Sequence, residues 1–396
     1  MINADAQLAR GQFSLELFKK MERINPGIKE LELYEFRYAL DNIYPEEGGW
    51  SSVILKDQKT IENQVSQREF FAGIQIRQEM KGKIVLEDQI VQLTRMLMVG
   101  LVTGKYSIEW INKWFYFDLR GFFFLVRTRY FTEEVLSHFG GKPYRQFERK
   151  QNRLEMFQGL GYRDFKECNQ EVDQAFIDLV MALVAVKGTP ILLTLAGPTA
   201  AGKTEIVSRL TKAFLQNNQK VTSIEMDNFL LDNDYRDEKG IKTLGKEAYH
   251  FDLFLQSMDG ILHGKRITIP HYEKSVSSHD ETSKLKPGSR SIVIEPADII
   301  FLEGNFPLQI PELSSFIGIK IVYMTNDPIR LKRKWKRDMD YRKKYDLNYF
   351  RNRYFSTKFL RAEDCYRLLM KECDLVVDTT GAALWVSPVV QRILEK

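Results

Sequence analysis

The chain has 396 residues, of which 44% are hydrophobic and 28% charged, as in an ordinary globular protein of two domains. Three cysteines without a C-x-x-C pair argue against a disulfide framework and predict a reducing, cytoplasmic environment. The apolar runs are far shorter than the about 18 residues that a membrane span needs, so we expect no membrane segment.

The net charge of +5 is unevenly distributed along the chain. Residues 330–361 contain thirteen Lys or Arg against three Asp, so this segment alone carries +10 and the rest of the chain −5. Such a segment is typical of a nucleic-acid surface or of the surroundings of a polyphosphate. Its position relative to other motifs has to decide between the two.

Residues 1–186 show mostly helical periodicity and predict a helical N-terminal domain whose role the sequence does not indicate. The segment from Trp110 to Phe131 is dense in aromatic residues with interleaved Lys and Arg. Base stacking on single-stranded nucleic acid is one interpretation, and a core segment with outward-facing charges is the one we favour. Lys187-Gly-Thr-Pro190 then predicts a domain boundary.

A phosphate-binding pattern follows the boundary. The apolar strand Ile191 to Ala196 runs into a loop that fits G-x-x-x-x-G-K-[ST], and a helix comes next. Backbone N–H groups of such a loop surround the phosphates of a nucleotide, and its Lys and Thr serve the outer phosphates and Mg²⁺. The residues predicted to bind ATP are Gly197, Pro198, Thr199, Ala200, Ala201, Gly202, Lys203 and Thr204.

Two carboxylates end the buried strands beside this loop. Asp227 follows the strand Val221 to Met226, and Glu303 ends the strand Asp298 to Gly304. The carboxyl ends of parallel strands form the ligand-binding edge of a doubly wound sheet. Glu303 stands where a Walker-B carboxylate would hold Mg²⁺ with Thr204, and Asp227 could take the proton of an attacking hydroxyl or help to hold the metal.

Strands and helices alternate from Ile191 onward, with further strands predicted at Gly318 to Met324 and Asp374 to Thr379. This alternation predicts an α/β fold of the P-loop NTPase type over residues 187–396, with a doubly wound, mainly parallel sheet. The basic segment follows one of these strands. Its position favours a kinase lid that covers the transferring phosphoryl group over a nucleic-acid surface.

At this point the sequence resembles the uridine kinase and phosphoribulokinase family of P-loop kinases, over residues 190–380. Besides the loop, the matching stretches are Met226 to Leu230, Phe251-Asp252, Gly264 to Tyr272, Phe301 to Gly304 and Arg330 to Arg342. The resemblance implies that Asp227 is the catalytic base, that Glu303 binds Mg²⁺ and that Arg337 acts from the lid. It also implies an acceptor site; the residues expected there are Asp252, Tyr272, His279, Arg342 and Asn352.

The acceptor side departs from the family pattern. The family has a His five residues after the Tyr, whereas that position here is Ser277 and His279 comes seven residues after Tyr272. Lys334 and Lys344 stand where uridine kinases have Arg, and Lys offers no bidentate fork. The phosphate and metal motifs are intact.

The sequence thus predicts an ATP- and Mg²⁺-dependent kinase that phosphorylates a hydroxyl of a small molecule, a nucleoside or a similar sugar-bearing metabolite. Two alternatives stay open. One is a kinase acting on nucleic-acid hydroxyls, and the other is a nucleotide-gated interaction protein that binds a partner through its N-terminal helices. The sequence does not fix the oligomeric state, and a homo-oligomer is one alternative.

Overall fold

The fold is taken from a computed structural model. It describes residues 10–24, 28–29, 32, 36–37, 40–41, 43–66, 76–78, 84–86, 88–118, 123–126, 130–147, 162–241, 245–273, 275–305, 307–325, 330 and 366–395. These residues divide into two compact units, one formed mainly before residue 130 and the other from residues 130–147, 169–325 and 366–395. No helix within these ranges is long and apolar enough to cross a membrane.

The first unit is mostly helical, with two antiparallel hairpins. Its helices are α1 (Arg10–Ile24), α2 (Gln58–Val65), α3 (Asp88–Thr103) and α4 (Ile108–Trp114). The hairpins pair β1 (Ile76–Gln78) with β2 (Ile84–Leu86), and β3 (Phe115–Asp118) with β4 (Phe123–Val126). Phe115, Phe117 and Phe124 are buried in one core with α1 and α3. At these three positions the aromatic segment is therefore core, as the favoured interpretation predicted.

The second unit is built on a seven-stranded sheet in the order β5-β15-β14-β13-β6-β12-β7. The strands are β5 (Arg145–Gln146), β6 (Ile191–Ala196), β7 (Val221–Glu225), β12 (Ile299–Gly304), β13 (Ile317–Met324), β14 (Leu375–Asp378) and β15 (Ala383–Val386). The five strands from β14 to β7 are parallel, and β15 and β5 add an antiparallel edge.

Short strands complete this unit away from the sheet. β8 (Ile267–Ile269) pairs with β11 (Ile292–Ile294), and β9 (Tyr272–Glu273) forms a hairpin with β10 (Val276–Ser277). Ser277, Ser278 and His279 at the end of the segment 271–279 are buried, whereas His271 and Glu273 are exposed.

Helices cover both faces of the sheet. Those of the second unit are α5 (Glu133–His138), α6 (Tyr162–Lys187), α7 (Lys203–Gln216), α8 (Asn233–Glu238), α9 (Phe251–Leu262) and α10 (Pro388–Leu394). Side chains along a strand point alternately to opposite faces. Leu193 and Leu195 accordingly pack with α6, α7 and α10, whereas Leu192 packs with α9. The P-loop NTPase-type α/β fold is the one predicted.

The predicted domain boundary assigns α6 to the N-terminal domain, whereas in the structure α6 packs in the second unit. The sequence placed the boundary between residues 186 and 187, whereas α6 buries Val172, Phe176, Val180 and Leu183 in the core beneath the sheet. Its apolar spacing indicated a helix but could not indicate which core the helix joins. The boundary at residue 187 stays a prediction.

Candidate active site

The loop between β6 and α7 forms a cradle of backbone groups. Gly202 caps α7 with a φ of 108°, and Ala200 also adopts the left-handed conformation, with a φ of 62°. Lys203 Nζ donates hydrogen bonds to the carbonyl oxygens of Gly197 (2.7 Å) and Pro198 (3.3 Å), so the ammonium lies across the loop. The start of α7 adds a positive dipole end. The cradle therefore has the features of an anion site.

Residues at the ends of β13 and β14 contact the backbone of this loop. A Cβ atom on Gly197 would lie 2.4 Å from the carbonyl oxygen of Tyr323, so only glycine fits there. The buried Thr325 hydroxyl donates to the carbonyl oxygen of Ala201 at 3.0 Å and lies 2.5 Å from the Thr379 hydroxyl. These contacts fix the loop backbone against the sheet.

A threonine and a glutamate meet beside the cradle. The Thr204 hydroxyl donates to Glu303 Oε1 at 2.6 Å. Glu303 is only 5% exposed, and its other oxygen, Oε2, is buried with no hydrogen-bond partner in the described parts of the chain. Burial raises the pKa of this carboxyl, while the Thr204 hydrogen bond and the Lys203 charge oppose the rise. A buried carboxylate oxygen of this kind is costly unless a cation balances it.

Two further carboxylates lie near Glu303. Glu225 is the register partner of Glu303 on the neighbouring parallel strand, which places their Cα atoms about 5 Å apart. Asp227 follows in a 3₁₀ turn (Met226–Phe229) and is exposed. Partial burial raises the pKa of Glu225, Asp227 adds to the rise and Lys203 opposes it. The three carboxylates and Lys203 therefore interact electrostatically.

The turn that contains Asp227 contacts the β9–β10 hairpin. Asn228 Oδ1 accepts a hydrogen bond from the backbone N–H of Tyr272 at 3.3 Å. The Tyr272 hydroxyl accepts one from Arg236 Nη2 of α8 at 2.8 Å. Asp227 also raises the pKa of Tyr272, for which burial is the main cause. Asp227, Tyr272 and Arg236 thus line one region at the carboxyl end of β7.

A buried polar network holds the hairpin in place. His250, 3% exposed, lies 2.9 Å from the Ser283 hydroxyl through Nδ1 and 3.2 Å from the Ser277 hydroxyl through Nε2. The Ser277 N–H donates to Asp232 Oδ1 at 2.6 Å, and Lys286 Nζ donates to Asp232 Oδ2 at 2.5 Å. Burial lowers the pKa of His250 to about 4, so the imidazole is neutral in this network.

Comparisons with known proteins give the family. Residues 192–383 match the model of the phosphoribulokinase/uridine kinase family. The chain is 30% identical over 158 residues to the uridine kinase of Streptococcus agalactiae serotype V, which covers 39% of this chain and 70% of that enzyme. This chain belongs to the phosphoribulokinase/uridine kinase family. It is therefore a kinase, a phosphotransferase that acts on a hydroxyl group of a small molecule.

The chain is also similar to a second curated uridine kinase and to one solved structure. The uridine kinase of Streptococcus gordonii strain Challis is 30% identical over 162 residues, which cover 40% of this chain and 71% of that enzyme. The solved structure of a possible uridine kinase from Bacillus stearothermophilus is 19% identical, with a TM-score of 0.36, and covers 53% of this chain and 98% of that one.

Within this kinase, the structure describes most of the predicted site residues. Lys203, Thr204, Glu303 and Asp227 lie together at the carboxyl ends of β6, β12 and β7. Tyr272 joins the Asp227 turn as described, whereas His279 is buried on the far side of Ser277, bonded to the Ser278 hydroxyl at 2.9 Å. Asp252 is an exposed side chain in the first turn of α9, and no described residue forms a hydrogen bond or ion pair with it. Three predicted residues lie outside the described residues: Arg337 of the lid, and Arg342 and Asn352 of the expected acceptor site.

Sequence reasoning missed Glu225, Arg236 and the role of His250. Glu225 could have been found from its spacing, because the register that aligns the strand ends pairs it with Glu303. Arg236 lies on a short polar helix, which resembles any solvated surface segment in sequence. The buried state of His250 depends on the hairpin folding back over α9, and no local pattern indicates it.

Proposed function

We propose that this kinase uses ATP and Mg²⁺ to phosphorylate a hydroxyl group of a nucleoside or similar sugar-bearing metabolite. The observation that carries the proposal is the contact of Thr204 with Glu303 beside the Lys203 cradle. It joins the phosphate loop to a buried carboxylate whose second oxygen has no hydrogen-bond partner among the described residues. This combination is the arrangement that P-loop kinases use for a nucleotide and its metal.

The donor set fits Mg²⁺. Thr204 and Glu303 offer oxygen ligands, and Mg²⁺ prefers one or two protein oxygens together with phosphates and water. When bound, the metal neutralises charge that develops on the phosphate oxygens.

Each side chain of the site would have its own role in the phosphoryl transfer. Lys203 would leave the loop carbonyls for the outer phosphates, where its positive charge stabilises the transferring group. The acceptor oxygen attacks the γ-phosphorus, its proton passes to the Asp227 carboxylate, and the bond between the γ-phosphorus and the bridging oxygen breaks to release ADP. Asp227 is suited to this task because it is exposed in the turn that follows β7 and contacts the hairpin of Tyr272.

The acceptor would lie between Asp227, Tyr272 and the start of α9. Tyr272 offers a ring face and a hydroxyl fixed by Arg236, and Asp252 offers a carboxylate for sugar hydroxyls. His279 would contribute indirectly, because it is buried and its backbone N–H donates to the Ser277 hydroxyl of the hairpin at 3.2 Å. Arg337 stays a prediction for the lid, and Arg342 and Asn352 stay predictions for the acceptor site.

A labelled transfer reaction tests the proposal. The full chain is incubated with γ-labelled ATP, Mg²⁺ and a pool of nucleosides and sugar derivatives, and the products are identified by mass spectrometry. We expect one labelled metabolite, and its loss in Lys203→Ala, whereas Lys212→Ala on the exposed face of the same helix retains it. Phosphate release with no labelled metabolite, or label found on a polymer instead, would contradict a kinase of small hydroxyl compounds.

A further inference from the structure

Arg236 is an arginine held in place next to the proposed acceptor position. Its Nε donates to the carbonyl oxygen of Leu231 at 3.0 Å, and its Nη2 donates to the Tyr272 hydroxyl at 2.8 Å. The guanidinium lies 6.0 Å from the centre of the Tyr272 ring. A half-buried side chain with two hydrogen bonds on one edge is preorganised, and guanidinium donors on its terminal nitrogens remain for a ligand.

The positive charge of Arg236 has no carboxylate partner in the described part of the chain. Asp232, four residues earlier, is instead bonded to Lys286 at 2.5 Å and to the Ser277 N–H at 2.6 Å. Two other arginines of this unit do have a carboxylate partner: Arg209 pairs with Asp173 and Arg266 with Glu295. A half-buried cation without a counter-ion is costly unless a ligand supplies the negative charge.

Arg236 also acts on the same groups as Asp227. The hydroxyls of Tyr249 and Tyr272 are affected by both charges: Asp227 adds to the rise that burial causes in their pKa values, and Arg236 opposes it. Arg236 and Asp227 therefore both lie near these two phenols. An anionic acceptor close to the Asp227 carboxylate would need such a cation to offset the repulsion.

At Ser277, the position where the family has a His, the β9–β10 hairpin offers no available side-chain hydroxyl to a neutral heterocycle. Ser277, five residues after Tyr272, is 1% exposed, and its hydroxyl is taken up by His250 Nε2 and the backbone N–H of His279, both at 3.2 Å. Its side chain therefore faces the network and not the acceptor. The Ser277 hydroxyl is therefore not available to recognise a nucleobase.

We infer that the acceptor carries an anionic group, a carboxylate or a phosphate, that binds the terminal nitrogens of Arg236. The inference rests on the proposed function and narrows its acceptor to a negatively charged sugar or hydroxy-acid derivative. A guanidinium fork matches the two oxygens of either group. Arg236 is thereby a specificity-determining residue for the phosphoryl transfer.

Matched acceptors test this inference. Phosphoryl transfer from ATP is measured with neutral polyols and sugars, with their phosphate monoesters and with the corresponding sugar acids, using the full chain. We expect kcat/KM for an anionic member to exceed that of its neutral parent, and the phosphate and carboxylate series show which anion is used. Arg236→Gln should lower kcat/KM for the anionic acceptor by about 10- to 100-fold more than for the neutral parent, since charge-assisted hydrogen bonds contribute this much.

Two variants separate recognition from folding. Arg236→Lys keeps the charge without the fork and should recover part of the preference, and Arg266→Gln, an exposed arginine, should behave as the wild type. Equal losses for charged and neutral acceptors in Arg236→Gln, or transfer to neutral nucleosides alone, would overturn the inference while the kinase proposal stands. Transfer to no acceptor in any series would overturn both.

Discussion

At the scale of single residues, Glu303 combines a cost in stability with its proposed role at the metal site. Burial disfavours its charged form and raises its pKa, and Oε2 has no hydrogen-bond partner among the described residues. A carboxyl group whose pKa is higher in the folded than in the unfolded state weakens folding at neutral pH, where it is ionised. Sites that bind cations retain such groups because the ligand supplies the missing charge.

Glu303→Gln should therefore separate stability from activity. Without metal, the substitution removes a buried charge and should raise the free energy of unfolding by about 0.5–2 kcal/mol. It should also raise the Mg²⁺ concentration needed for half-maximal phosphoryl transfer. Denaturant unfolding in the presence of a chelator and a Mg²⁺ titration of activity measure the two effects.

The exposed Glu295→Gln is the control and should change neither quantity. An unchanged Mg²⁺ requirement in Glu303→Gln would remove this residue from the metal site.

His250 predicts a pH dependence of stability. Its pKa is about 4 in the folded chain and ordinarily 6.5, because burial and the neighbouring His279 and Lys286 disfavour the charged form more than Asp232 and Asp280 favour it. The unfolded state therefore binds a proton at a higher pH. Stability should be full above about pH 7 and fall as the pH drops toward 4, by up to about 3 kcal/mol.

Unfolding free energies measured across this pH range test the point. His250→Gln should flatten the dependence, whereas the exposed His263→Gln should leave the wild-type slope. Identical slopes in all three proteins would contradict a neutral, buried His250.

Local pattern made part of the site predictable. The loop from Gly197 to Thr204 is contiguous in sequence, so a single motif contains its geometry. Asp227 and Glu303 were predicted because parallel strands end at one edge of the sheet, and the structure has both there. Arg236 and His250 owe their position to the hairpin and its contacts, which form only in the folded unit.

At the scale of elements, α6 is tied to the phosphate loop by a buried network. Asp173 of α6, 5% exposed, accepts hydrogen bonds from Arg209 of α7 at 2.6 Å and from the Tyr323 hydroxyl of β13 at 2.7 Å. α7 begins at Lys203, and the carbonyl oxygen of Tyr323 packs against Gly197. The network thus connects a helix that precedes the family match with both ends of the loop.

Asp173→Asn should be costly for this reason. It removes the negative charge and leaves Arg209 without its partner, which we expect to lower the free energy of unfolding by about 1–3 kcal/mol, less than for a fully buried pair because Arg209 is partly exposed. Tyr323→Phe should cost about 1 kcal/mol. Denaturant unfolding measures both.

Asp178→Asn, on the exposed face of α6, is the matched control and should stay within about 0.5 kcal/mol of the wild type. A similarly small effect of Asp173→Asn would show that the network does not stabilise the unit.

The long parallel strands were easier to predict from the sequence than the short antiparallel strands. β6, β12 and β13 are long apolar runs between turn signals and were predicted within one residue of their observed ends. β5, β9 and β10 have two residues each, too few to show any periodicity. Their pairing depends on partners distant in sequence, such as β15 for β5.

At the scale of the whole molecule, the sequence and the structure indicate a function for one of the two compact units. The second unit contains the family match, the candidate phosphate-binding loop and the carboxylates beside it, and these support its activity as a kinase. The first is a helical core with hairpins, and its sequence and fold assign it no role. Since α6 packs in the second unit, a boundary at residue 187 would separate this helix from the sheet that it covers.

The most direct test of the central claim is a single-turnover measurement of γ-phosphoryl transfer to the acceptor found in the screen, with wild type, Asp227→Asn and the exposed Asp234→Asn. The account predicts that Asp227→Asn lowers the transfer rate by about 100- to 10,000-fold, as expected for loss of a general base, while ATP affinity and the rate of Asp234→Asn are unchanged. Transfer by Asp227→Asn at the wild-type rate would contradict it.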